Sequence, residues 1–354
     1  MCAANAKNDC AHPRSRLLAA TGYKGIKMQD VVFHCGYMKT ATTFLQSSVF
    51  PSLPDCAFYS FADGFAHLAD DLRQKPAPDA VSHQAVVVRE WMARSDKELQ
   101  LFSWEGLIGD SLENYAGFTE LTGFLSDIAP QAKILLVIRN QADLCNSLYK
   151  QSLHRGHSPK IEEFLNYQAG AFGPFRPADA ANMDIRSLDF DHAVQAYENA
   201  FGADNVHVLV YEWLRHDRQR FFNGLEECLG RKVSALDQGA ALNVGYNSGA
   251  AMLARHLNRC YKTPHNPRGV LPYRPFDNYL RTRPGRSIYT RLAGAANAMF
   301  DPRFFLQNRL AARLPGTSDL LSRDIRAGIQ RECAATNAAL DKRRDLGLGA
   351  LGYY

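Results

Sequence analysis

One stretch constrains this chain more than any other: Val31-Val32-Phe33-His34-Cys35-Gly36-Tyr37-Met38-Lys39-Thr40-Ala41-Thr42-Thr43-Phe44-Leu45-Gln46. An apolar, β-branched run leads into a glycine, then a lysine, a cluster of small hydroxyl residues and an amphipathic segment. That order predicts a strand, a loop and a helix arranged as an anion cradle. Gly36 lets the backbone turn tightly. Free N–H groups at the helix start point at the ligand, and the helix dipole favours negative charge there. Thr40, Thr42 and Thr43 offer hydroxyl donors, and Lys39 a mobile positive charge.

The spacing differs from a Walker A loop, which needs four residues between its first glycine and the Gly-Lys pair. Here two residues separate Gly36 from Lys39, and Ala41 follows Thr40. The pattern G-x-x-K-T-x-T-T resembles the 5′-phosphosulfate loop of sulfotransferases that use 3′-phosphoadenosine 5′-phosphosulfate (PAPS). Loops of that family usually read P-K-[ST]-G-[ST]-[ST]; this chain carries Met38 at the proline and Ala41 at the glycine.

The rest of the chain fits an α/β protein. At 354 residues it can bury a full core. The unbroken apolar run Lys133-Ile134-Leu135-Leu136-Val137-Ile138 suits a central parallel strand covered on both faces. Further strands are expected at Ala57–Ser60, Glu98–Ser103 and Asn205–Val210. Helices are expected at Ala41–Val49, Gln84–Arg94, Phe118–Ile128, Gln141–His154, Arg218–Leu229 and Ala250–Asn258. Alternation of this kind predicts a parallel sheet in a three-layer α/β sandwich. Asp70–Pro78 reads as a loop, and Glu162–Asp191, with no clear period, as a long loop that could cover a substrate.

Residues 1–27 are polar and basic and are expected to form a flexible arm before a single domain spanning 28–354. Their one apolar run, Leu17-Leu18-Ala19-Ala20, is too short for a signal core or a membrane span. Eight cysteines include no C-x-x-C pair and no zinc spacing, which points to a reducing cytoplasm and to no metal site. The net charge of +5 does not by itself suggest a nucleic-acid partner. Arg255–Arg313 carries twelve Lys/Arg against Asp277 and Asp301. In a helical C-terminal region of about 250–354, that surface would suit solvent, an anionic ligand or peripheral contact with a membrane.

A second element makes the family resemblance more specific. The expected strand ends in Ile138-Arg139-Asn140, and Ser147 follows Arg139 by eight residues on a helix. In sulfotransferases such a pair holds the 3′-phosphate of the nucleotide, and arginine is the natural planar, bidentate donor for it. Gln141 stands where a proline is common. Ser103-Trp104-Glu105 resembles the Ser-Ser-Glu segment of bacterial sulfotransferases, and Tyr211-Glu212-Trp213-Leu214 their Y-E-D-L strand end. The resemblance covers about residues 30–230. It implies a P-loop-like sulfotransferase fold and transfer of a sulfuryl group from PAPS to a hydroxyl or amine of a glycan, glycolipid or small metabolite. Adenosine 3′,5′-bisphosphate would leave without a metal. Lys39 would stabilise the leaving phosphate, and Gly36, Thr40, Ala41, Thr42 and Thr43 would hold the 5′ group. Glu105 is the favoured general base and His34 its rival.

Two other classes stay open. One is a P-loop nucleoside kinase or related phosphotransferase, which lacks its Gly-Lys-Ser/Thr and a strand ending in aspartate for magnesium. The other is a non-catalytic nucleotide- or polyanion-binding module using the basic C-terminal region.

Overall fold

The continuous apolar run at Lys133–Ile138 forms the strand its composition predicts, buried from Ile134 to Ile138. The computed structural model describes residues 30–60, 78–177, 181–233, 246–262 and 313–354, with short pieces at 64, 65, 69, 266, 268–272, 306 and 310. Five strands make the main sheet: β1 (Asp30–His34), β2 (Cys56–Tyr59), β3 (Leu99–Ser103), β4 (Lys133–Ile138) and β7 (Val206–Val210). Their order is β2-β3-β1-β4-β7, and all are parallel. β5 (Tyr167–Gln168) and β6 (Ala171–Phe172) form a small antiparallel hairpin apart from it.

Parallel strands need crossovers, and helices supply them. They are α1 (Thr42–Phe44), α2 (Pro78–Arg94), α3 (Phe118–Ile128), α4 (Gln141–His154) and α5 (Phe190–Phe201). α6 (Arg218–Leu229), α7 (Ser248–Cys260) and α8 (Arg323–Arg344) follow the last strand of the sheet. Side-chain alternation sends β1 to two faces. Phe33 and Cys35 look toward α5, where the Cys35 thiol meets Tyr197. His34 looks the other way, onto Phe50 beyond α1. Leu209 of β7 shares that second face, packed so tightly on Gly224 of α6 that a methyl group at Gly224 would lie 2.6 Å from its side chain. The expected three layers are therefore present, with β1 and β4 central and fully covered.

The expected strand and helix boundaries hold to within a residue or two for most elements; α2 instead starts six residues early, at Pro78. The expected helix Ala41–Val49 is α-helical only over Thr42–Phe44. It continues as π-helix over Leu45–Val49 and as 3₁₀-helix over Phe50–Ser52, with Pro51 inside that last turn.

The expected covering loop at Glu162–Asp191 is corrected. It holds a helical turn at Ile161–Phe164, the β5–β6 hairpin and a 3₁₀ turn at Ile185–Leu188, and it buries Phe164, Leu165 and Met183. Asn166 and Asn182 close it internally through 2.9 Å and 2.8 Å amide bonds, the second to the Arg176 carbonyl. Polar turn residues hid these short pieces from any periodicity.

The predicted arm at residues 1–27 and most of the basic stretch Arg255–Arg313 lie outside the described residues, as does nearly all of the loop expected at Asp70–Pro78. No helix among the described residues is long and apolar enough to cross a membrane.

Candidate functional site

The loop after β1 stays close to β4. Cys35 N–H donates to the Leu135 carbonyl at 3.0 Å and Tyr37 N–H to the Val137 carbonyl at 3.3 Å. The chain then turns sharply at Lys39 and Ala41, both left-handed, at φ 68° and 66°. Gly36 has no positive φ, so its role is different from the expected tight turn. A Cβ there would lie 2.9 Å from His34 Nε2, and the missing side chain leaves room for that ring. At Ala41 the left-handed conformation is one that glycine would adopt without penalty.

The three loop threonines part company. Thr40 is buried and its hydroxyl donates to the Tyr37 carbonyl, so its proton is spent inside the loop. Thr42 is buried beside the Glu105 carboxyl, its hydroxyl closing no hydrogen bond of full geometry. Thr43 is exposed.

Glu105 reaches this place because β3 pairs with β1 and ends at Ser103, directly opposite His34. Trp104 N–H donates to the His34 carbonyl at 3.3 Å, and Glu105 opens a 3₁₀ turn at the sheet's carboxyl end. Burial raises the Glu105 carboxyl above the ordinary glutamate range, and the Lys39 and Arg155 charges pull it back only partly. Burial lowers the Lys39 ammonium, with Glu105 acting against the drop and Arg139 and Arg155 adding to it. A cation and a carboxylate thus share one half-buried corner, each favouring the other's charge.

Arg139 arrives from β4, the other neighbour of β1. Its Nη1 donates to the Lys39 carbonyl at 2.9 Å, and its guanidinium lies 4.5 Å over the Tyr211 ring at the end of β7. Its Nε is buried without a partner, and Nη2 makes no hydrogen bond within the protein among the described residues. Nη2 is thus the guanidinium nitrogen left to donate to an anion, with the unpaired Nε buried beside it. Lys150 on α4 adds positive field to both Arg139 and Lys39. Ser147 is half-buried one turn before Lys150, and no hydrogen bond joins it to Arg139.

His34 is fully buried. Its Nδ1 lies 2.7 Å from Ser103 Oγ, its ring meets Phe50 edge-on at 5.2 Å, and burial pushes it down to about 3. Tyr211, Lys150 and Arg155 went unassigned in sequence; an aromatic at the end of the strand beside β4 was the available signal for Tyr211. Glu212 of the Y-E-D-L-like segment braces the site, accepting from Asn140 N–H at 3.0 Å and from the Tyr353 hydroxyl at 2.8 Å.

No group of three or more His, Cys, Asp or Glu side chains could hold a metal among the described residues. Two clefts open elsewhere, along β7 and α6, and neither is lined by a residue of this site.

No family model and no curated protein matches the chain. Among solved structures, a sulfotransferase from Alicyclobacillus acidocaldarius is similar at 17% identity, over 60% of this chain and 85% of that one, with a TM-score of 0.39. A likeness so distant bears on neither activity nor site residues, which rest on the geometry above.

Proposed function

We propose that this chain is a sulfotransferase that moves a sulfuryl group from PAPS to an acceptor hydroxyl or amine. The observation that carries the reading is the meeting of two anion-binding elements, 100 residues apart in sequence and joined by the Arg139 Nη1 bond to the Lys39 carbonyl. Strand order brings them together, since β1 and β4 are neighbours. One end of the sheet then offers a loop with a lysine and, beside it, an arginine with donors left unpaired. A nucleotide with phosphates at both its 5′ and 3′ positions matches that pair.

In this reading the acceptor oxygen or nitrogen attacks sulfur opposite the bridging oxygen. A bond to sulfur forms as the sulfur–oxygen bond to the 5′-phosphate breaks. Glu105 takes the acceptor proton, for which its raised carboxyl is well suited as a base near neutral pH. Lys39 faces the charge that grows on the leaving phosphate. Arg139 holds the 3′-phosphate, with Ser147 nearby on α4.

One observation favours a magnesium-dependent phosphotransferase instead: Glu105 stands beside the Thr42 hydroxyl, as a metal-holding carboxylate would. Lys39 and Arg155 already occupy the surroundings of that carboxylate, which disfavours a metal cation beside it.

Thermal unfolding with added nucleotides separates the two, because a ligand that binds the native state raises apparent stability. Adenosine 3′,5′-bisphosphate without magnesium is expected to raise the melting temperature, and ATP with magnesium to leave it unchanged. The reverse pattern would sink the sulfotransferase reading.

A further inference from the structure

His34 carries a buried polar atom that the reaction scheme does not use. The imidazole is enclosed between the sheet and the helical turns after the loop, and its Nε2 has no hydrogen-bond partner. A buried N–H or ring nitrogen left unpaired is costly and calls for an explanation.

The proton on this ring can be located. Gln46 Nε2 lies 3.3 Å from the Ser103 carbonyl, which can only accept, so the amide nitrogen is on that side. The same nitrogen lies 2.9 Å from Ser103 Oγ and donates to it. The hydroxyl proton of Ser103 then needs an acceptor, and among the described residues His34 Nδ1, 2.7 Å away, is the one in reach. Nδ1 is the acceptor, so the neutral ring carries its proton on Nε2.

That Nε2–H faces the turn at Gly36. A side chain on residue 36 would begin 2.9 Å from Nε2 and 3.4 Å from Thr40 Oγ1. Glycine therefore lets the ring edge pack directly against the loop backbone, where Nε2 is the buried polar atom nearest the cradle. Thr40 does not engage it, its own proton being given to the Tyr37 carbonyl.

We propose that His34 is a hydrogen-bond donor, set in its Nε2–H form by Gln46 and Ser103, to the anionic group held in the Gly36–Lys39 loop. The proposal rests on that loop being an anion cradle, as the sulfotransferase reading has it. It removes His34 from the contest for general base, since the nitrogen facing the loop already holds a proton. Burial, which holds the imidazole far below its usual range, agrees with a neutral donor.

Long-range ¹H–¹⁵N correlation spectra of the full ¹⁵N-labelled chain at pH 7 read the tautomer directly, with the His34→Gln spectrum assigning the signal. The Nε2–H form is expected, and Ser103→Ala is expected to let the Nδ1–H form appear. An Nδ1–H ring in the unaltered protein would overturn the proposal.

Affinity for adenosine 3′,5′-bisphosphate by calorimetry gives the second readout. His34→Phe keeps a ring against Phe50 but has no donor, and a tenfold to hundredfold weaker Kd is expected, on the scale of a hydrogen bond to a charged group. His34→Gln places an amide N–H near the Nε2 position and should recover most of the loss, which a purely structural role would not do. Should His34→Phe fail to fold, Ser103→Ala carries the comparison, with a several-fold loss expected. Unchanged affinity in a folded His34→Phe or Ser103→Ala protein would overturn the donor role. If the unaltered protein binds ATP with magnesium and not the bisphosphate, the sulfotransferase reading fails, and the same variants scored with ATP still decide His34. Binding of neither nucleotide overturns both.

Discussion

Glu105 is the residue whose surroundings make the sharpest demands. Burial outweighs the Lys39 and Arg155 charges, so its folded carboxyl holds a proton more tightly than it would in the unfolded chain. Between the ordinary glutamate range and that raised value the native state binds more protons, so stability falls as pH rises through the window. Glu105→Gln should therefore be more stable than the unaltered protein above the window, with the gap closing toward low pH; melting temperatures from pH 4 to 9 check this. The same variant should lose 10²–10⁴-fold in kcat if Glu105 is the base, while still binding nucleotide. On the same reading, the acid limb of the rate profile should lie above the ordinary glutamate range. Lys39→Ala should cost roughly a hundredfold in kcat, the scale of one preorganised donor; near-normal turnover would remove Lys39 from the mechanism. Ala41 makes a prediction of stability alone. An L-residue at φ 66° carries a left-handed penalty that glycine escapes, partly offset by glycine's greater unfolded freedom. Ala41→Gly should gain about 0.5–1 kcal/mol, read as a higher urea midpoint at unchanged slope.

At the scale of elements, the candidate site depends on three neighbouring strands ending together. β3 brings Glu105, β1 the loop, and β4 Arg139, while β7 sets Tyr211 beneath the guanidinium. Arg139 ties two of these ends, so it has a structural duty as well as a proposed ligand. Arg139→Ala should weaken adenosine 3′,5′-bisphosphate by at most several kcal/mol, as for a buried charged hydrogen bond. It should weaken adenosine 5′-phosphosulfate, which has no 3′-phosphate, far less. The residual loss with the second nucleotide measures the bond to the Lys39 carbonyl. Equal losses would mean that Arg139 only holds the loop.

At the scale of the molecule, α8 and the segment after it lock the β4–α4 junction from outside the sheet. Gln141 and Asn337, both buried, exchange side-chain amide bonds of 2.7 and 3.0 Å, and Asn337 also donates to the Tyr353 carbonyl at 3.0 Å. Asn140 Nδ2 donates to the Gly352 carbonyl at 2.9 Å. The Gln141 side-chain amide thus has a partner nearly two hundred residues away. Asn337→Ala would strand the Gln141 amide in the core. It should cost about 2–4 kcal/mol in chemical denaturation, counting one or two unpaired buried groups. Replacing both residues with leucine should cost less than the sum of the single changes; additivity would show that the pair does not couple.

The local code carried much of this. Apolar runs marked the sheet's central strands, and periodicity marked α3 and α6 to the residue, because burial and helix geometry act over a few neighbours. The lysine loop and the arginine at a strand end were legible for the same reason: each is a short run of chemistry. Sequence alone placed a hydroxyl on each loop threonine, but it could not tell that Thr40 spends its proton on its own loop. Nor could it show that Gly36 serves the His34 ring, that Glu105 meets Thr42, or that Gln141 answers Asn337. Those outcomes depend on strand order and on side chains meeting across tens to hundreds of residues. Only the packed structure decides such meetings, because burial and hydrogen-bond partners belong to the fold and not to any single segment.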